Sequence, residues 1–403
     1  MVRHAKELDM KKLFIPILLL IIFACNGSES VKDVTLVSTF EGGNRYAAGK
    51  VTILELHGSY YQMGRQYGML MKEDLKELFE VAINGRFIGQ ESFTYERLIQ
   101  ISEKVYSVYP NKYKDVIIGM SETSGLNLEE QIILNAIEMF PKYDSFVPHC
   151  SGIVAWGDYT DGGPLVFGRN NDDTEYFREF GAYTIVAVFH PSGSSQPTAI
   201  INYAGVIYAP SGMNREGVFL ELNSGNVEWI YPDRPLIFTT LFSLLEDYST
   251  LQELYPAFLS IKGNATLSAI VNVADDREAF SYEISAFLEK DDDVKRRSQD
   301  RKGLLVSTNH FVDPNWGIGL PDDKENDLTV TRRNNLLSLA ELYKGSFDEE
   351  RMMEVLDTKI DDGGATQQSE TIYQIIAIPE KRLIWLQAPG NFVWQKIDLN
   401  LFF

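Results

Sequence analysis

Hydrophobic spacing divides the chain into a leader, a mostly helical stretch and a strand-rich remainder. Residues 13–23 (LFIPILLLIIF) form an apolar run broken only by Pro16. Residues 51–56 (VTILEL) are rich in β-branched side chains and predict a strand. Gly58-Ser59 ends it, with Ser59 placed as a helix N-cap. Met63, Tyr67, Leu70, Met71, Leu75, Leu78 and Phe79 then recur at helical spacing. Gly64 and Gly68, four apart, allow that helix to pack closely against a neighbour. Helical patterns follow over 94–108, 112–124 and 128–140, with Pro110 and Ser124-Gly125 between them.

At Cys150 the pattern turns to hairpins. Strands are predicted over 151–156 and 165–169, flanking the turn DYTDGG, and over 183–189, 198–203, 206–209 and 217–222. Helices follow over 236–247 and 250–260, then a hairpin over 267–274 and 279–285 about Asp275-Asp276. Residues 289–302 (EKDDDVKRRSQDRK) mix both charges and predict a solvated loop. Helices return over 331–343 and 348–356, and strands over 373–378, 382–387 and 392–399 close the chain. No internal repeat is visible. Strands for two sheets, with helices before, between and after them, predict an α+β layered fold with mostly antiparallel pairing.

Composition narrows the partners. The 403 residues are 44% hydrophobic and 12% aromatic, enough for a packed core. Asp plus Glu number 57 against 37 Lys plus Arg, and the net charge of −20 argues against nucleic acid as a partner. Two cysteines make no disulfide framework, so each needs its own explanation. Lys11-Lys12 before the apolar run fit a signal peptide, and the run is short for a bilayer span. Ile22-Phe23-Ala24-Cys25 resembles a bacterial lipobox, in which cleavage precedes a cysteine that carries a diacylglyceryl group. That resemblance implies a lipoprotein signal peptide over 1–24 and a lipidated tether and linker over 25–50. It also implies a lipid anchor at Cys25 in the bacterial cell envelope. An ordinary secretory signal or an anchor helix is the alternative.

Cys150 stands where a loop (YDSFVPH) meets a strand. By itself it reads as a buried structural thiol. Its surroundings change that. His149-Cys150-Ser151-Gly152 is followed by a strand, a turn and Gly168-Arg169-Asn170-Asn171-Asp172. This pattern resembles the opening of cysteine N-terminal-nucleophile hydrolases. The acyl-coenzyme A:isopenicillin N acyltransferase branch is the most similar, with choloylglycine hydrolase and acid ceramidase as relatives. Leu56-His57-Gly58-Ser59 with Met63-Gly64-Arg65-Gln66-Tyr67-Gly68 resembles the pro-region of that branch. Gly212-Met213-Asn214-Arg215-Glu216-Gly217 before a strand ending at Asn223, then Ser307-Thr308-Asn309-His310 and Thr331-Arg332, follow in family order. The resemblance implies a four-layer αββα sandwich. A mostly helical pro-segment over 51–149 would precede a catalytic domain over 150–403.

It also implies roles. Cleavage between His149 and Cys150 would give Cys150 a free α-amine, whose ordinary pKa of about 7.7–8 suits a base for its own thiol. Arg169 on the paired strand would favour thiolate, and Asp172 would orient the new ammonium. Asn223 and Asn309 are neutral donors suited to an oxyanion hole, although asparagine at a strand end more often caps or turns. Arg332, with Arg333 beside it, matches the family's late arginine. Asp173 is expected to be a neighbour without a catalytic task, and Asn214 a structural turn residue. The chemistry expected is cleavage of a linear N-acyl amide through an S-acyl-enzyme. Acyl transfer to an amine remains open, as does a non-enzymatic ligand-binding lipoprotein on the same fold. A papain-like pairing of Cys150 with His310 would need Cys150 on a helix N-terminus. No cofactor is expected. Five scattered histidines without an HxxxH or CxxC spacing predict no metal. The oligomeric state is not legible.

Overall fold

A computed structural model describes residues 34–144, 150–225, 230–286, 293–324 and 328–403. The signal peptide expected over 1–24, Cys25 and His149 lie outside the described residues. The chain opens with three strands, β1 (Thr35–Phe40), β2 (Gly43–Ala48) and β3 (Val51–Gly58). Helices α1 (Tyr60–Leu70), α2 (Lys72–Leu78), α3 (Tyr95–Ser107), α4 (Asn111–Thr123), α5 (Leu128–Asn135) and α6 (Phe140–Asp144) follow. A π-helical stretch, Phe79–Ile88, continues α2. Ser59 caps α1 as expected, accepting from the Gln62 amide while the Gln62 side chain caps in return.

After the junction come β4 (Ser151–Ala155), β5 (Val166–Asp172), β6 (Thr184–Pro191), β7 (Thr198–Tyr203), β8 (Ser211–Asn214) and β9 (Phe219–Ser224). Then come α7 (Ile237–Asp247), α8 (Leu251–Leu259), β10 (Ala269–Ala274), β11 (Ala279–Ile284), β12 (Val294–Arg297) and β13 (Leu304–Ser307). The last elements are α9 (Thr329–Leu342), α10 (Glu349–Asp357), β14 (Thr371–Ile378), β15 (Leu383–Ala388) and β16 (Phe392–Asp398).

Two sheets form. One runs β1-β2-β3-β6-β7-β8-β9-β10-β11-β12, and the other β13-β4-β5-β14-β15-β16. Among the described residues, β3–β6 is the parallel pair and the others are antiparallel. The inner faces meet where Phe167 of β5 packs on Phe219 of β9, ring centroids 4.8 Å apart. On the outer face of the smaller sheet, Ile153, Val166, Leu304 and Ile376 pack with Leu336, Ala340, Met352 and Val355 of α9 and α10. On the larger sheet, α7 lies against β7 and β8, and α1 against β2 and β3. The αββα order expected from the sequence is the one found.

Three expectations need correction. Residues 35–48 are a hairpin, not a linker, and β3 carries it into the larger sheet, so the segment before Cys150 supplies strands as well as helices. The hairpin hides because Glu41-Gly42 is not a common turn pair, although both residues have positive φ (47° and 88°). Residues 206–209 are no strand. Their region's amides bind side chains of the helical segment instead: Gly205 N donates to Tyr67 Oη at 2.8 Å and Ile207 N to Asn135 Oδ1 at 2.6 Å. Within the charged loop, Val294–Arg297 pairs with β11 as an edge strand whose charges suit an edge.

The helical segment is bound tightly to the rest. A Cβ at Gly64 would lie 2.1 Å from the Val116 carbonyl and one at Gly68 2.5 Å from that of Met120, so the two glycines do permit the close α1–α4 crossing. Buried Glu246 of α7 accepts from Tyr113 Oη and Lys112 Nζ of α4 at 2.8 Å each, and from Tyr60 Oη of α1 at 3.1 Å.

Candidate active site

Cys150 immediately precedes β4, which lies between β13 and β5. Pairing of Gly152 with Arg169 folds the 150–172 hairpin so that Arg169 and Asn171 share the inner face. Cys150 itself has φ of +35°, a left-handed value that costs a residue with a Cβ about 1–3 kcal/mol. Its Sγ lies 3.8 Å from Arg169 Nη2, 3.6 Å from the Asp172 carbonyl oxygen and 4.0 Å from Asn171 Oδ1. Its carbonyl accepts from Arg332 Nη1 at 2.8 Å. Burial pushes the thiol up to about 12, with Arg169 pulling the other way. In this environment the sulfur holds its proton at neutral pH and needs a base to release it.

Arg169 forks across the two sheets. Nη1 donates to Glu221 Oε2 at 2.7 Å and to the Pro210 carbonyl at 2.9 Å; Nη2 donates to Asn171 Oδ1 at 2.6 Å. Glu221, buried on β9, also accepts from Asn223 Nδ2 at 3.2 Å and from Asn272 Nδ2. Burial pushes the Glu221 carboxyl up to about 7 against the pull of Arg169 and the amides. Within the pair the guanidinium keeps its charge and the carboxylate is the member that yields. Gly152 makes room for this crossing: a Cβ there would lie 2.3 Å from Glu221 Oε1.

On the other side, Asp172 Oδ1 accepts from Thr371 Oγ1 at 2.6 Å, and Oδ2 stands 3.9 Å from Arg332 Nη1. Arg332 Nη2 donates to Asn309 Oδ1 at 2.8 Å, and Asn309 Nδ2 donates to the Ser224 carbonyl at 2.8 Å. Asn223 Nδ2 donates to Ser307 Oγ at 2.8 Å. Cys150, Arg169, Asp172, Asn223, Asn309 and Arg332 thus fall into one buried network. In the uncut chain the amide donors of both asparagines are engaged within the protein.

Other sequence candidates lie outside it. Arg333 pairs with Asp300, so Arg332 is the arginine beside Cys150. His310 hydrogen-bonds with Thr329 Oγ1 (3.0 Å) and Thr308 Oγ1 (3.3 Å), and burial pushes its ring down to about 4. It has no approach to Cys150 among the described contacts, and Cys150 precedes a strand, so the papain-like reading loses its support. Asn214 braces the turn at Val218 and the carbonyls of Leu245 and Tyr248. Asp173 pairs with Lys142 of α6 at 3.0 Å. Sequence reasoning did not single out Glu221, Asn272 or Thr371, and it left Asn171 and Ser307 inside their motifs without a role. Glu221 had a faint signal: in Phe219-Leu220-Glu221-Leu222-Asn223 it is a carboxylate in an apolar strand, on the same face as Asn223.

No protein-family model matches the chain. It is 24% identical over 298 residues to Protein dcd1B of Dictyostelium discoideum, which covers 62% of this chain and 58% of that protein, so the chain spans little more than half of that relative's length. Among solved structures it is similar to a Caenorhabditis elegans ortholog of the N-acylethanolamine-hydrolyzing acid amidase, at 21% identity and TM-score 0.43 over 57% of this chain and 93% of that one. A conjugated bile acid hydrolase variant from Clostridium perfringens is similar at 15% identity and TM-score 0.42, over 62% of this chain and 93% of that one. Penicillin V acylase from Agrobacterium tumefaciens is similar at 12% identity and TM-score 0.45, over 62% and 86%. Among the described residues no helix is long and apolar enough to cross a membrane.

Proposed function

We propose that the chain is a self-processing thiol amidohydrolase for small linear N-acyl amides, exported and lipid-anchored at Cys25. The observation that carries the reading is the convergence of two buried guanidiniums on Cys150, Arg169 on its sulfur and Arg332 on its carbonyl. In the first step Sγ adds to the His149 carbonyl and the peptide C–N bond breaks, leaving a thioester. The thiol proton passes to the departing nitrogen, which becomes the free Cys150 α-amine, and water then hydrolyses the thioester to release the His149 carboxylate and return the thiol. The strained φ at Cys150 favours this step, because cleavage releases the constraint.

The second reaction uses the same sulfur. The α-amine takes the thiol proton, which the buried thiol does not release unaided. The thiolate attacks the substrate carbonyl beside the charge of Arg169. The C–N bond breaks, the amine leaves with the proton from the ammonium, and the acyl group stays on sulfur as a thioester. Water, deprotonated by the α-amine, releases the acid. Asp172 orients the ammonium. Asn223 and Asn309 serve the oxyanion after processing re-aims their amides. Acyl transfer to an amine would share every step up to the thioester. Intact-mass analysis during turnover of a slow N-acyl amide tests the reading: the fragment starting at Cys150 should gain the mass of the acyl group, and turnover without any such adduct on the wild type, or an adduct surviving in Cys150→Ala, counts against it. For the anchor, Cys25→Ser should move from the membrane pellet to the soluble fraction; equal recovery in the pellet rejects lipidation.

A further inference from the structure

The β3–β6 pair joins the segment before Cys150 to the segment after it, and its register sets His57 beside His190. The two imidazoles stack with centroids 4.3 Å apart and planes 22° from parallel. Glu55, on the same face of β3, brings Oε1 to 3.3 Å from His57 Nε2. One donor atom from each of the three residues lies within 4.8 Å of the other two. None of the three belongs to the network around Cys150.

Their orientation is fixed from behind. Glu55 Oε2 accepts from Asn44 Nδ2 and Tyr46 Oη at 2.9 Å each, which leaves Oε1 for another partner. His190 Nε2 lies 2.7 Å from the Phe402 carbonyl oxygen. A carbonyl only accepts, so Nε2 carries the proton and Nδ1 keeps its lone pair. Backing of this kind is what holds metal-bound imidazoles and carboxylates in place.

We propose that Glu55, His57 and His190 form a binding site for a divalent transition-metal ion, zinc being the class this donor set suits. Two imidazoles and one carboxylate are the protein donors of open zinc sites, with water in the fourth position. Donor atoms around a tetrahedral ion with bonds of about 2.0 Å stand roughly 3.3 Å apart, which the Glu55–His57 pair already matches at 3.3 Å. A single carboxylate offers calcium and magnesium too few oxygens. The ion would tie β3 to β6, and so hold together the two pieces that cleavage before Cys150 makes. Binding itself does not depend on that cleavage.

The test is calorimetric titration of Zn²⁺ into the chelator-stripped full chain without a histidine tag, beside His57→Gln, His190→Gln and Glu55→Gln. The parent should bind one equivalent, each variant should bind at least about tenfold more weakly, and the cobalt-loaded parent should show the visible absorption of a tetrahedral site that His190→Gln loses. Glutamine at 190 can still donate to Phe402, so unchanged circular dichroism separates lost ligation from lost fold. Cys150→Ala, which the proposed function expects to stay uncut, should bind zinc as the parent does, so failure of the metal site and failure of processing are told apart. No zinc uptake by the parent, or undiminished uptake by a His57→Gln/His190→Gln double variant, overturns the proposal.

Discussion

Glu221 and Glu246 are two buried carboxylates in one molecule, and burial pushes both upward. Glu246 sits among Lys112, Tyr113 and Tyr60, and every one of those bonds ties a helix of the first segment to α7. Glu221 meets Arg169 between the sheets, and the same guanidinium reaches on to the Cys150 sulfur. Burial alone therefore does not mark a functional carboxylate. What differs is what its partner touches next: a packing contact in one case, the sulfur of Cys150 in the other.

The largest effect separating the two regions should come from Cys150→Ala. It leaves both carboxylates paired but removes the cleaving thiol and the nucleophile, so amidase activity should vanish and the chain stay whole on a denaturing gel. Arg169→Leu should destabilise by about 3–5 kcal/mol, since it strands Glu221 fully buried. Lys112→Met should cost less, about 1–3 kcal/mol, because two tyrosine hydroxyls remain on Glu246 and the folded variant should keep its turnover. Denaturant melts read the first difference and kinetics the second; equal stability losses would mean that the two carboxylates are held alike. Asn309→Ala should lower turnover about 10²–10³-fold with a smaller change in substrate binding.

The smallest effect is in pH dependence. Between the ordinary glutamate value near 4.5 and about 7, folded Glu221 holds a proton that the unfolded chain has released. Its contribution to stability therefore falls as pH rises through that window. Glu221→Gln should flatten this slope in melts recorded across it, and an unchanged slope would mean that Glu221 stays ionised when folded.

Much of this was legible in the sequence because it is local. The turn DYTDGG between two strand-like runs marked the β4–β5 hairpin, and with it the meeting of Cys150, Arg169 and Asp172. Asn309 and Arg332 were legible only through their order in a resemblance; their contact with one another depends on α9 packing over β13 and β4. Glu221 was missed since its partner comes from the other sheet, 52 residues away. The first hairpin was missed because Glu41-Gly42 is an uncommon turn, and His57 with His190 because only parallel pairing of distant strands brings them together.

In the proposed mechanism the α-amine of Cys150 is the base for its own thiol. N-terminal sequencing of the purified wild-type protein, paired with an amidase assay on the same sample, addresses it most directly. A fragment beginning at Cys150 is expected, with activity in proportion to its amount. An uncut chain with full amidase activity would contradict it, because the nitrogen of Cys150 would still be tied up in a peptide bond.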